Sequence, residues 1–104
     1  EFTVAPNINP IQGLPRHEWY VEFETIPDDI KGFSASLEKE MISQNIYYKD
    51  LILGNIIQPL DIVNVTKGGF NNYMKSVGRL GGQNKVPRLS NDRKIADILN
   101  NFNV

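Results

Sequence analysis

His17-Glu18-Trp19-Tyr20-Val21-Glu22-Phe23-Glu24 alternates without a break. His17, Trp19, Val21 and Phe23 fall on one side, and Glu18, Tyr20, Glu22 and Glu24 on the other. A period of two with aromatic and β-branched residues marks a half-buried strand. It predicts the apolar phase toward the core and the acidic phase toward water. C-terminal to this strand, Pro27-Asp28-Asp29 suits a first helical turn, where proline costs no hydrogen bond and carboxylates favour the helix dipole. Ile30, Phe33, Leu37 and Met41 then recur at spacings of three and four. They predict an amphipathic helix over about 28–43.

Further out, Ile46 to Leu53 predicts a short helix before Gly54. Leu60 to Val65, β-branched and following Pro59, predicts a second core strand broken at Gly68-Gly69. A helix over about 70–77 stops at Gly78, and 78–89 reads as a loop. Ser90 is placed to cap a last helix carrying Ile95, Ile98, Leu99 and Phe102 on one face. N-terminal to the alternating strand, residues 2–5 suit a short strand ended by Pro6, and Asn7 to Arg16 a connecting loop. The fold class is therefore α+β: a small, mostly antiparallel or mixed sheet of about three strands packed with three to four helices. Residues 1–104 form a single domain, with 1–15 as its leading strand and loop.

Composition limits the chemistry. The 104 residues hold 40% hydrophobic side chains, enough for one core, and 22% charged ones, near the globular norm. With no cysteine, a thiol nucleophile, a thiolate metal site and a disulfide scaffold are excluded. The lack points only mildly to the cytoplasm, which is the expected location. Apolar runs such as Leu51-Ile52-Leu53 fall far short of the ~20 residues of a spanning helix, and no basic and apolar leader opens the chain. A start at Glu1-Phe2-Thr3-Val4 without Met reads as a piece of something longer. The net charge of −1 hides an asymmetry. Residues 1–61 carry ten Asp/Glu against four Lys/Arg, and residues 62–104 two against seven. Lys67, Lys75, Arg79, Lys85 and Arg88 fall in a stretch free of acid, which would attract anions unless it is simply a solvated basic face.

Reactive side chains are few. His17, the one histidine, would need an orienting partner and a nucleophile to act as a base, and a structural role is the simpler reading. With one His and no Cys, zinc is not expected. Glu18, Glu22 and Glu24 read as the wet side of the strand; their like charges repel, so a basic neighbouring element would help. Gly78-Arg79-Leu80-Gly81-Gly82-Gln83-Asn84-Lys85-Val86-Pro87-Arg88 stands apart. Its glycines let backbone N–H groups approach a ligand. Lys85 offers a point charge and Arg88 a forked donor for phosphate or carboxylate oxygens. The Walker A pattern is absent, and composition leaves a surface loop and an anion site equally open.

The run Gly81-Gly82-Gln83-Asn84-Lys85-Val86-Pro87-Arg88-Leu89-Ser90-Asn91-Asp92-Arg93 resembles the tail of the Gretchen Hagen family, the auxin-responsive acyl-acid amido synthetases. His17 to Glu24 resembles the opening strand of that family's C-terminal domain. Gly69-Phe70-Asn71-Asn72-Tyr73-Met74-Lys75-Ser76-Val77-Gly78 resembles the helix before its lysine loop. The three matches stand in order over roughly residues 16–100, and bacterial-type members resemble the chain more closely than plant ones. The resemblance implies the mobile C-terminal domain of an adenylate-forming ligase, inactive alone. Its implied partners are the N-terminal adenylation domain of the same polypeptide, a small carboxylic acid and an amino acid. ATP and Mg2+ would serve the full-length enzyme, with neither bound to this domain alone; no membrane or nucleic-acid partner is implied. By position in the matching string, the resemblance assigns the catalytic lysine to Lys85, and phosphate or nucleotide contacts to Gly81, Gly82, Gln83 and Arg88. The wider superfamily commonly places glycine before the lysine, whereas Asn84 stands here, so Lys75 and Lys67 remain alternatives. The rival readings are a nucleotide- or nucleic-acid-binding module using the basic C-terminal half, with Phe70, Tyr73 and Phe102 as stacking groups, and an interaction domain docking through Glu18, Tyr20 and Glu22.

Overall fold

The alternating segment forms the central strand of the sheet. In the computed structural model, which describes residues 1–8, 13–78 and 86–102, β1 (Phe2–Asn7) pairs antiparallel with β2 (Arg16–Val21), and β2 pairs parallel with β3 (Asp61–Asn64). The strand order is β1-β2-β3, a mixed three-stranded sheet as expected. Between β2 and β3 run α1 (Ile30–Gln44) and α2 (Ile46–Leu53); after β3 come α3 (Gly69–Ser76) and α4 (Lys94–Phe102). A parallel pair needs such a long crossover, because a tight turn can join only antiparallel neighbours.

Local chemistry sets the helix ends. Asp29 caps α1 by accepting from Gly32 N at 2.9 Å, and Asn45 ends α1 and caps α2 by accepting from Tyr48 N at 3.1 Å. β1 continues through Pro6 to Asn7 rather than stopping at Pro6; at the sheet margin a missing N–H is tolerated. Ser90 does not cap α4. Its N–H donates to Val4 O at 2.8 Å, and the carboxylate accepting from Lys94 N at 3.0 Å is that of Asp92.

Along β2, burial runs in the opposite sense to the hydrophobic pattern. Register pairs Thr3 with Tyr20 and Ala5 with Glu18, so these four side chains share one face, and all are buried. On that face lies the main core, where Tyr20, Phe70, Tyr73, Met74, Ile95, Ala96 and Leu99 pack together. The supposedly apolar phase is only half-buried. Trp19 stacks on Phe2 with ring centroids 5.5 Å apart, and α1 contributes no buried residue above it. The acidic phase is thus not the wet side: Glu18 is 5% and Tyr20 1% exposed. Burial on both faces explains the error, since two helical layers compete for one strand and α3 with α4 carry the more continuous apolar surface.

Candidate functional site

Of the residues expected to meet phosphate, Lys85, Gly81, Gly82 and Gln83 lie outside the described residues, as does Arg79. Their flanks are described. On one side α3 ends at Ser76 and the chain turns through Gly78, whose φ of 71° favours glycine. On the other side the chain is fastened to β1. Val86 is 4% exposed within the main core. Thr3 Oγ1 donates to Pro87 O at 2.6 Å, Val4 N to Arg88 O at 2.9 Å, and Ser90 N to Val4 O at 2.8 Å. Val4 and Leu89 thereby form a parallel bridge along the free side of β1.

Arg88 is turned toward β1 rather than into the core. Its guanidinium lies 4.8 Å from the centroid of the Phe2 ring, donates to Phe2 O at 3.3 Å, and pairs with the Glu1 carboxylate. More than half of the side chain is exposed, so the pair is screened and contributes little to stability.

Beneath this stitch lies a buried polar cluster. Glu18 accepts from Arg93 Nη1 at 2.6 Å, Arg16 Nη2 at 2.9 Å, Asn7 Nδ2 at 3.2 Å and the Tyr20 hydroxyl at 3.2 Å. Arg93 also donates to Pro6 O and to the Tyr20 oxygen, which accepts from Asn100 Nδ2 at 3.0 Å as well. Burial alone would raise the Glu18 pKa; hydrogen bonds from Arg16, Arg93 and Asn7 and the charge of Arg93 outweigh it and hold the carboxyl below its ordinary value. Burial also leads the rise of the Tyr20 pKa, with the Glu18 charge adding to it. The group is saturated with internal partners and closes β1, β2 and α4 against one another. Its chemistry is structural. The basic neighbour that the acidic strand called for is Arg93, 75 residues away in sequence.

Glu22 has a different task. Its two carboxylate oxygens accept from Gly68 N and Phe70 N, each at 3.1 Å, at the start of α3. The N-cap there, Gly68, has no side chain to serve those donors. Sequence reasoning missed both roles, because spacing along one strand does not show which helix packs on it.

His17 sits in a half-buried aromatic setting, its ring 5.8 Å from that of Tyr48, and its Nδ1 has no hydrogen-bond partner among the described residues. Together with Val4, Trp19, Met41 and Leu51 it lines a mainly apolar cavity of about 430 Å³. No group of three His, Asp or Glu that could hold a metal ion occurs among the described residues. The nucleic-acid reading names Phe70, Tyr73 and Phe102 as stacking groups. Phe70 and Tyr73 are core residues, 4% and 9% exposed, and Arg93 is committed to Glu18. The Phe102 side chain lies outside the described residues. Docking through Glu18 and Tyr20 is overturned by their burial.

A model of the GH3 family C-terminal domain matches residues 1–94. The chain belongs to the GH3 family. This is the Gretchen Hagen family that the strand, helix and glycine-lysine string resemble, and the match spans all three. Solved structures agree in fold with this GH3 domain. One, a GH3.15 acyl acid amido synthetase, is 19% identical with a TM-score of 0.77, covering 100% of this chain and 19% of its own. Another, an AtGH3.15 acyl acid amido synthetase in complex with 2,4-DB, is 20% identical with a TM-score of 0.69, covering 100% of this chain and 20% of its own. This GH3 domain therefore spans about a fifth of the length of the solved chains it matches. No curated protein matches the sequence significantly. Among the described residues, no helix is long and apolar enough to cross a membrane.

Proposed function

We propose that the chain is the mobile C-terminal domain of an ATP-dependent acyl-acid amido synthetase and delivers Lys85 for the first of two half-reactions. In that step a carboxylate oxygen attacks the α-phosphorus of ATP, forming acyl-AMP and expelling pyrophosphate. In the second, an amino-acid nitrogen attacks the acyl carbon, the amide forms, and AMP leaves as the nitrogen loses a proton. The match of residues 1–94 to the family's C-terminal domain carries this reading.

The physical argument lies in the first step. A carboxylate approaching a triphosphate brings like charges together, and a positioned ammonium offsets charge developing in the transition state. Such a group is needed for one half-reaction only, which suits a moving domain. Lys85 provides that charge, while Gly81, Gly82 and Gln83 approach the phosphates closely. Arg88 offers phosphate the donors left over from Glu1 and Phe2. Lys75 and Lys67 are the alternatives to Lys85; Lys75 lies in the last turn of α3, and both are exposed. Mg2+ would accompany the triphosphate, held on the larger N-terminal domain that forms the acid and amine pockets. The working compartment is proposed to be the cytoplasm.

The test uses the intact enzyme. Lys85→Ala should lower acid-dependent pyrophosphate release by about 10²–10³-fold, while amide formation from supplied acyl-AMP survives. Equal loss of both half-reactions would reduce Lys85 to a folding role. Acyl-AMP formation by the 104-residue chain alone would refute the accessory-domain reading.

A further inference from the structure

We propose that Thr3 is a positioning residue for the adenylation step, holding the exit of the lysine-bearing segment through the carbonyl of Pro87. The inference rests on the reading that Lys85 acts in that step.

Thr3 is fully buried, on the face of β1 that looks into the main core. A hydroxyl there is a poor choice for packing alone. Valine has almost the same shape, favours strands equally and leaves nothing to satisfy. The hydroxyl spends its proton on one acceptor, Pro87 O, at 2.6 Å. Pro87 has no N–H, so its carbonyl is the only backbone group by which that residue can be tied to β1. Its neighbours are held in other ways: Val86 by its side chain in the core, and Arg88 by the backbone bond from Val4. The residue before a proline is also confined to extended backbone, which stiffens Val86. Three successive residues are thus held by three independent means, beginning one residue after Lys85. A fold that needed only a closed loop would not need each of them held separately. A side chain that must reach a reacting phosphate does, because a displacement of about 1 Å can cost on the order of 100-fold in rate.

The experiment compares Thr3→Val with Thr3→Ser in the intact enzyme. The readouts are acid-dependent ATP–pyrophosphate exchange, amide formation from supplied acyl-AMP, and thermal melting. Thr3→Val should lower the exchange kcat by about 10- to 100-fold. The KM for ATP should stay within about two-fold and the second half-reaction should be retained, because the loss is one of alignment rather than of binding. Thr3→Ser, which keeps the donor, should recover exchange to within a few-fold of the parent. Unchanged exchange in Thr3→Val overturns the proposal, as does equal loss of both half-reactions or a serine variant no better than valine. Lys85→Ala is run in parallel. Its collapse beside a normal Thr3→Val removes Thr3 and leaves the lysine reading intact; normal exchange in Lys85→Ala removes the lysine reading itself and with it the proposal. Should Thr3→Val not fold, Pro87→Gly at its exposed position loosens the same stem and should show the same selective loss; normal exchange in that variant likewise overturns the proposal.

Discussion

Glu18→Gln is the most informative single change to the domain's architecture. The substitution keeps the shape of the side chain, removes its charge and turns one acceptor oxygen into a donor. Both oxygens are engaged: one receives Arg93 Nη1 and the Tyr20 hydroxyl, the other Asn7 Nδ2 and Arg16. Whichever way the amide turns, its NH₂ meets donors, so at least one charge-assisted contact becomes a clash of like groups. A hydrogen bond to a charged group contributes about 1.5–3 kcal/mol. Arg16 and Arg93 are each roughly a third exposed, which screens their share. The expected destabilisation is therefore roughly 2–3 kcal/mol, or about 8–24 °C in Tm for a domain of this size. Urea denaturation at neutral pH measures it directly. The pH dependence supplies the sharper test. Because the folded Glu18 pKa lies below the ordinary value of 4.5, the unfolded chain takes up its proton first as pH falls. The Glu18 contribution is complete above that value and is lost as pH drops through the folded pKa. Parent and Glu18→Gln stabilities should therefore converge in acid. A difference below about 0.5 kcal/mol at pH 7, within the noise of ordinary surface changes, would refute the account of the cluster. So would a difference that persists undiminished at low pH.

Two further predictions concern the elements around it. Glu22→Ala should cost about 1–2 kcal/mol and be visible by urea denaturation, because α3 then starts on Gly68 with no carboxylate to serve its first N–H groups; no change would mean solvent caps the helix equally well. Leu99→Ala, at a fully buried site in α4, should cost about 3–5 kcal/mol. Leu37→Ala, on the half-buried α1, should cost nearer to 1 kcal/mol, and comparable losses in paired melts would contradict the unequal burial of the two faces.

The inventory of elements was legible in the sequence because it depends on neighbours. Alternation from His17 to Glu24 marked the central strand, three-and-four spacing marked α1, and Gly54, Gly68 and Gly78 marked the breaks. The string Gly81 to Arg93 carried the family. Residue type and spacing along the chain are sufficient for these, since backbone geometry converts periodicity directly into a strand or a helix. Which face of a strand becomes the interior is a different matter. It depends on the apolar surface that the rest of the chain brings to each side, and here α3 and α4 bring more than α1 and α2. That contest buried Glu18 and Tyr20 and left Trp19 half-covered, against the plain reading of the pattern. A carboxylate can enter such a core only if distant cations accompany it, and Arg93 reaches Glu18 solely because α4 folds back across the sheet. The fastening of Pro87 to Thr3 is of the same kind, joining positions 84 residues apart. Local chemistry thus settled which segments exist and to which family they belong. Tertiary packing alone decided which polar groups are buried and which residues fasten Pro87 and Arg88 to β1, because those contacts form between elements that share no sequence neighbourhood.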